Sequence, residues 1–199
     1  MALSKACADP LIARRSEAVS AKSKFYTIGH STRSVDEIAA LLQEAGADFV
    51  VDVRTVPRSR VNPQFNADSF PDALATHGIG YRHVAKLGGL RSRRKDAAPS
   101  RNGFWENASF RNYADYAATA GFREGLAELR ELGRSHICCL MCAEAVWWRC
   151  HRRIITDYLI AGGEKVLHIL GPGKIEEASL TPAARREAGG TLVYPAEAG

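Results

Sequence analysis

His136 to Arg153 reads HICCLMCAEAVWWRCHRR, and the interpretation of this stretch decides the fold. The run from His136 to Met141 is short and apolar, as a strand covered on both faces of a sheet must be. From about Ala145 to Ile160, the apolar residues Val146, Trp147, Ile154, Ile155, Tyr158 and Leu159 recur at close to helical spacing. The reading is strand, short turn, helix, with Cys142 and Glu144 at the strand's carboxyl end and at the helix entrance. Ligands of open α/β sheets bind at that edge, and the free N–H groups of a helix entrance favour an anion or a thiolate. Cys142, Glu144, Cys150, His151, Arg152 and Arg153 all crowd into this stretch.

Working outward, Lys24 to Ile28 (KFYTI) reads as a strand ending in Gly29-His30-Ser31-Thr32. Ser34 and Glu37 have the spacing of a capping box ahead of Ile38, Leu41 and Leu42, and Gly46 closes that helix. Phe49 to Val53 (FVVDV) is a second buried strand with Asp52 inside it and Arg54 after it. Together these make a βαβ unit. An aspartate on a buried strand needs a donor or a cation. Asp52 therefore either pairs with Arg54 or caps a turn, or else shares a site with Cys142 at the strand ends.

Arg54 to Phe70 is rich in Pro, Asn and Ser and reads as a long structured loop carrying Arg54, Arg58, Ser59 and Arg60. A helix over Asp68 to Thr76 and a strand over Ile79 to Val84 follow. Arg91-Ser92-Arg93-Arg94-Lys95 is the densest positive run of the chain. It is either a solvated loop or a clamp for phosphate. Phe110 to Leu132 reads as helix broken near Gly121, Lys165 to Leu170 as a strand, Thr181-Pro182 as the start of a short helix, and Thr191 to Tyr194 as a last edge strand. The order β-α-β-loop-α-β-α-β-α-β predicts a three-layer α/β domain, a mostly parallel central sheet flanked by helices. It does not fix the strand order.

A chain of 199 residues with 46% hydrophobic and 25% charged residues suits one domain, expected over residues 24–199 behind a frayed N-terminal extension, residues 1–23. The net charge of +5 permits an anionic partner without demanding one. Five cysteines, four of them between Cys138 and Cys150, do not resemble a secreted disulfide framework, so a reducing cytoplasm is the expected compartment. No segment has the roughly twenty consecutive apolar residues that a membrane helix needs. Composition says nothing of oligomeric state.

Tyr26-Thr27-Ile28-Gly29-His30-Ser31, Val51-Asp52-Val53-Arg54 through Pro57-Arg58-Ser59, Leu87-Gly88-Gly89, Met141-Cys142-Ala143-Glu144 and Cys150-His151-Arg152-Arg153 together resemble the DUF488 family of uncharacterised proteins. The resemblance runs over about residues 24 to 185. It implies that the paired cysteines with His151 and Arg152, the Gly-His-Ser turn and the Asp-Val-Arg strand belong to one site; it implies no activity. Members of that family often carry a histidine shortly before a Leu-Thr-Pro segment. Here Ala178-Ser179 precede Leu180-Thr181-Pro182, and His168 is the nearest candidate to take over its role.

Three chemistries suit this constellation. Cys142 could be a nucleophile or redox thiol, with Glu144 as acid or base and Cys150 near enough for a reversible disulfide. Cys142, Cys150 and His151, with His30 or Glu144, could instead hold zinc or another soft metal. Against the metal stands the adjacency of Cys150 and His151, since neighbours on a helix point about a hundred degrees apart; no metal ligand is assigned. Third, the thiols could be inert, leaving His30, Asp52, Arg54, Arg58, Arg152 and Arg153 to hold phosphate. Rhodanese and cysteine-phosphatase sites offer an analogy, but their Cys-x5-Arg loop is absent, because Arg149 stands seven residues after Cys142.

The resulting expectation is an α/β enzyme acting on a phosphate-bearing ligand, a nucleotide or nucleic acid. Its catalytic candidates are Cys142, Glu144, Cys150, His151, Asp52 and His30; its ligand-binding candidates are Ser31, Arg54, Arg58, Ser59, Arg152 and Arg153. Any cofactor is unknown. Replacing Cys142 or Asp52 is expected to abolish binding or turnover at a cost of only a few degrees in melting temperature. The competing expectations are a nucleic-acid-binding module built on the basic loops, with steep salt dependence, and a Cys/His metal-binding protein.

Overall fold

In the computed structural model, which describes residues 23–93 and 98–196, six strands form one sheet: β1 (Lys24–Gly29), β2 (Phe49–Asp52), β3 (Gly80–His83), β4 (Cys138–Cys142), β5 (Lys165–Gly171) and β6 (Lys174–Glu177). Their order is β3-β2-β4-β1-β5-β6. All neighbours are parallel except β5 and β6. Residues 1–22 of the expected extension, together with Arg94 and Lys95 of the basic run, lie outside the described residues.

Among the described residues, five helices cover the two faces: α1 (Val35–Ala45), α2 (Phe70–Ala75), α3 (Ala108–Ala117), α4 (Ala120–Leu132) and α5 (Arg152–Gly162). Successive strand residues point to opposite faces. Tyr26, Ile28, Val50, Cys139 and Met141 accordingly pack with Ile38 and Leu42 of α1 and Phe70 and Leu74 of α2. Phe25, Val51, Cys138, Leu140 and Cys142 pack with Tyr113, Phe122, Leu126, Ile154 and Ile155 of the other three helices. The result is the three-layer α/β arrangement the sequence predicts, and it puts Cys142 on the α3, α4 and α5 side.

The α1 capping box forms as expected, with Ser34 N–H donating to Glu37 Oε2 at 2.6 Å and Glu37 N–H to Ser34 Oγ at 3.1 Å. Gly46 ends that helix at φ 72°, a left-handed conformation that suits glycine.

Several boundaries differ from expectation. The helix expected from Ala145 starts only at Arg152, and the preceding segment holds a single 3-10 turn, Trp147–Arg149. Trp147 stacks on His168 of β5 with ring centroids 4.2 Å apart, and this contact ties the segment to the sheet instead of letting it wind. The helix entrance therefore belongs to Cys150 and His151, not to Cys142 and Glu144. The break before α4 falls at Ala118-Thr119, where the Thr119 side chain caps the new helix, and Gly121 sits inside it. No helix opens at Thr181-Pro182. Leu192–Val193 pairs with Arg185–Arg186 in a separate two-stranded sheet rather than extending the main one. The edge strand β6 was not expected, because all four of its residues are exposed and carry no apolar period. Among the described residues, no helix is long and apolar enough to cross a membrane.

Candidate functional site

The adjacent strands β2, β4 and β1 end together, and their ladder continues past the last strand residues. Val53 N–H donates to Met141 O at 3.0 Å, His30 N–H to Cys142 O at 2.9 Å, and Ser31 N–H to Ala143 O at 3.0 Å. Above these ends lies a pocket of about 580 Å³, lined by His30, Arg54, Arg58, Ser59, Cys142, Glu144, Cys150 and His151 among the residues the sequence singles out. Ser31, Asp52, Arg152 and Arg153 do not line it.

Asp52 is fully buried and Arg54 nearly so. The Arg54 guanidinium donates from Nε to both Asp52 oxygens, at 2.9 and 3.1 Å, and from NH2 to Oδ2 at 2.6 Å. A fourth bond runs from NH2 to Phe65 O at 2.7 Å, and Tyr81 Oη–H donates to Asp52 Oδ2 at 2.8 Å. Arg54 is thus largely committed to fixing the 54–69 loop, with only NH1 turned toward His30 Nε2 at 3.4 Å. The loop is also ordered from within: Ser59 N–H donates to Asn66 Oδ1, and Ser59 Oγ accepts from Val61 and Asn62. The side chains of Arg58 and Arg149, by contrast, are exposed on the pocket wall and have no hydrogen-bond or ion-pair partner among the described residues.

Cys150 and His151 meet Cys142 on the pocket floor. Cys150 is in extended backbone, just before the helical turn that His151 caps. Its Sγ lies 3.6 Å from His151 Nδ1 and accepts from Arg152 Nε at 3.3 Å. The objection that neighbouring helical side chains diverge therefore does not apply. Arg152, 1% exposed, also donates to Glu144 O at 2.5 Å, so it braces the β4–α5 connection from behind. The hydrogen bond with Cys150, together with burial, pushes the Cys142 thiol well up. Burial would raise Cys150 as well, but the bond from Cys142 and the neighbouring His151 and Arg152 more than offset it and hold this thiol well below its ordinary range. Glycines leave room for this packing. A Cβ on Gly89 would fall 2.4 Å from His151 Nδ1, and one on Gly29 would collide with the Glu144 carbonyl.

Ser31 holds φ 50°, and its carbonyl contacts His30 Nδ1 at 2.9 Å, so it serves the turn. Arg153 reaches Thr181 Oγ1 at 3.1 Å and lies over the Trp105 ring, away from the pocket. His168 is buried on β5 against Thr27 Oγ1 and Trp147 and does not line the pocket. Arg149, Asn62, Gly89, Leu90, Ser109 and Phe110 line the pocket without having been foreseen. Arg149 had a signal, its place between Trp148 and Cys150. Ser109 and Phe110 had none, because nothing local shows that the start of α3 folds over the ends of β2 and β4.

Two buried histidines add a pH dependence. Burial, opposed by a bond to Ser31 O, pushes His30 down to about 4, and burial does the same to His168. Both are neutral in the folded chain at pH 7, whereas the unfolded chain takes up protons below about pH 6.5. Folding stability is then complete above about pH 6.5 and falls as the pH drops toward about 4, where the folded chain also protonates. Urea midpoints at pH 7 and pH 4.5 test this; equal midpoints at unchanged slope would contradict it.

The fold and site define an α/β protein with a pocket of cysteine, histidine and arginine at the carboxyl ends of three parallel strands. A family model described as a domain of unknown function, DUF488, matches residues 34–159, and the chain belongs to that family. No curated protein matches the chain, and no solved structure does.

Proposed function

We propose that this protein is an enzyme that binds a small phosphate-bearing ligand in the strand-end pocket and acts on it with the groups of the Cys142, Cys150 and His151 floor. The observation that carries the proposal is the placement of two unpaired guanidinium groups, Arg58 and Arg149, on the wall of a pocket whose floor holds those three groups. Guanidinium groups suit phosphate because their planar forks match its oxygens. A volume of about 580 Å³ is within the range of small-ligand sites. Asp52 supports the site from below without meeting the ligand.

Inorganic pyrophosphate and a mononucleotide panel are suitable probes by calorimetry. Arg58→Ala and Arg149→Ala are each expected to weaken binding about tenfold, with little change in stability because both side chains are exposed. Unchanged affinity in the double variant would remove the proposal. Nucleic-acid binding through the basic loops has less support. Arg91 donates to the carbonyls of Gly88, Ala85 and Lys86 and lies over the Tyr116 ring at 3.8 Å, so it holds its own loop.

A further inference from the structure

One ligand atom from each of Cys142, Cys150 and His151 lies within 4.8 Å of the other two. The 3.6 Å between Cys150 Sγ and His151 Nδ1 is about the separation of a sulfur and a nitrogen sharing one tetrahedral zinc ion, with bonds of roughly 2.3 and 2.0–2.1 Å. The surroundings prepare each ligand. His151 Nε2 lies 2.9 Å from Val53 O; a carbonyl only accepts, so Nε2 carries the ring proton and Nδ1 presents its lone pair to the cysteines. Arg152 is a buried cation with no carboxylate partner among the described residues; besides the Glu144 carbonyl, it donates to Cys150 Sγ at 3.3 Å. Such a cation stabilises an anionic sulfur, the form that binds metal. Gly89 brings no side chain against Nδ1. All three groups line the pocket, so a metal held by them keeps one side open.

We infer that Cys142, Cys150 and His151 form a three-ligand site for zinc or a metal of similar softness, with its fourth position open to the pocket. Two sulfurs and one imidazole favour a borderline-soft divalent ion over magnesium or calcium, which take oxygen ligands. The open position admits water or an oxygen of the anionic ligand, a role that rests on the proposed function; the metal site itself does not.

The test is titration of Co²⁺ into the reduced, metal-free full-length chain. The expected result is thiolate-to-cobalt charge-transfer absorption with tetrahedral ligand-field bands, saturating at one equivalent and reversed by Zn²⁺. Cys142→Ser, Cys150→Ser and His151→Ala should each weaken binding by more than the roughly 10–100-fold that loss of an outer partner costs, while Cys138→Ala keeps the spectrum. Should a variant not fold, X-ray absorption of the zinc-loaded wild-type chain decides, through a first shell of two sulfurs with nitrogen or oxygen. Absence of the charge-transfer band, an unchanged cobalt affinity in both serine variants, or a shell without two sulfurs overturns the inference. Pyrophosphate binding to the metal-free chain is measured in parallel. Metal uptake without pyrophosphate binding leaves the metal site and removes the proposed ligand; pyrophosphate binding without metal uptake does the reverse.

Discussion

Replacing Asp52 with alanine is expected to lower the folding stability by about 3–5 kcal/mol, the usual cost of stripping one partner from a buried ion pair. Asp52 is fully buried, and three hydrogen bonds from the Arg54 guanidinium, one from Arg54 N–H and one from Tyr81 converge on it. Without the carboxylate, a buried guanidinium is left with Phe65 O and the neutral ring of His30. The buried pairing gives a larger expected loss than the few degrees anticipated from the sequence alone. Urea unfolding at pH 7 reads the loss. The double variant Asp52→Ala with Arg54→Met should recover part of it, because it removes the stranded charge. A loss below about 1 kcal/mol in the single variant would mean that the pair is not the anchor of the 54–69 loop.

How much of this was legible depended on how local the signal was. The strand ends, read at Ile28, Val53 and Met141 and found at Gly29, Asp52 and Cys142, could be located to within a residue because short apolar runs stop there, and the rule that ligands sit at strand ends in α/β sheets then gathered His30, Arg54 and Cys142. The Ser34 to Glu37 capping box is a contact between near neighbours and formed as read. The start of α5 was misplaced, since apolar spacing cannot distinguish a true helical turn from an aromatic held by a distant partner, as His168 holds Trp147. That single error moved the expected helix entrance from His151 to Glu144 and concealed that Cys150 and His151 converge. The division of the arginines was equally non-local. Arg54 and Arg152 are drawn inward while Arg58 and Arg149 face the pocket, a difference fixed by tertiary packing and not by residue type. The exposed strand β6 gave no signal, because an edge strand with all residues in solvent needs no apolar alternation.

Replacing Arg152 with methionine is expected to lower stability by about 3 kcal/mol and to slow alkylation of Cys150 at neutral pH. The guanidinium holds the Glu144 carbonyl at 2.5 Å and Cys150 Sγ at 3.3 Å from a position that is 1% exposed. Methionine fills much of the same volume but donates to neither, so the carbonyl loses its donor and the sulfur loses its cation. Arg152→Lys separates the two effects. It keeps the charge but not the two-pronged geometry, so the thiol should stay reactive while the β4–α5 connection loosens. Urea midpoints and the rate of Cys150 modification by a small alkylating reagent read the two quantities independently. If Arg152→Met leaves both unchanged, the buried cation neither braces the connection nor sustains the thiolate. The pocket floor would then depend on Cys142 and His151 alone for whatever charge Cys150 carries.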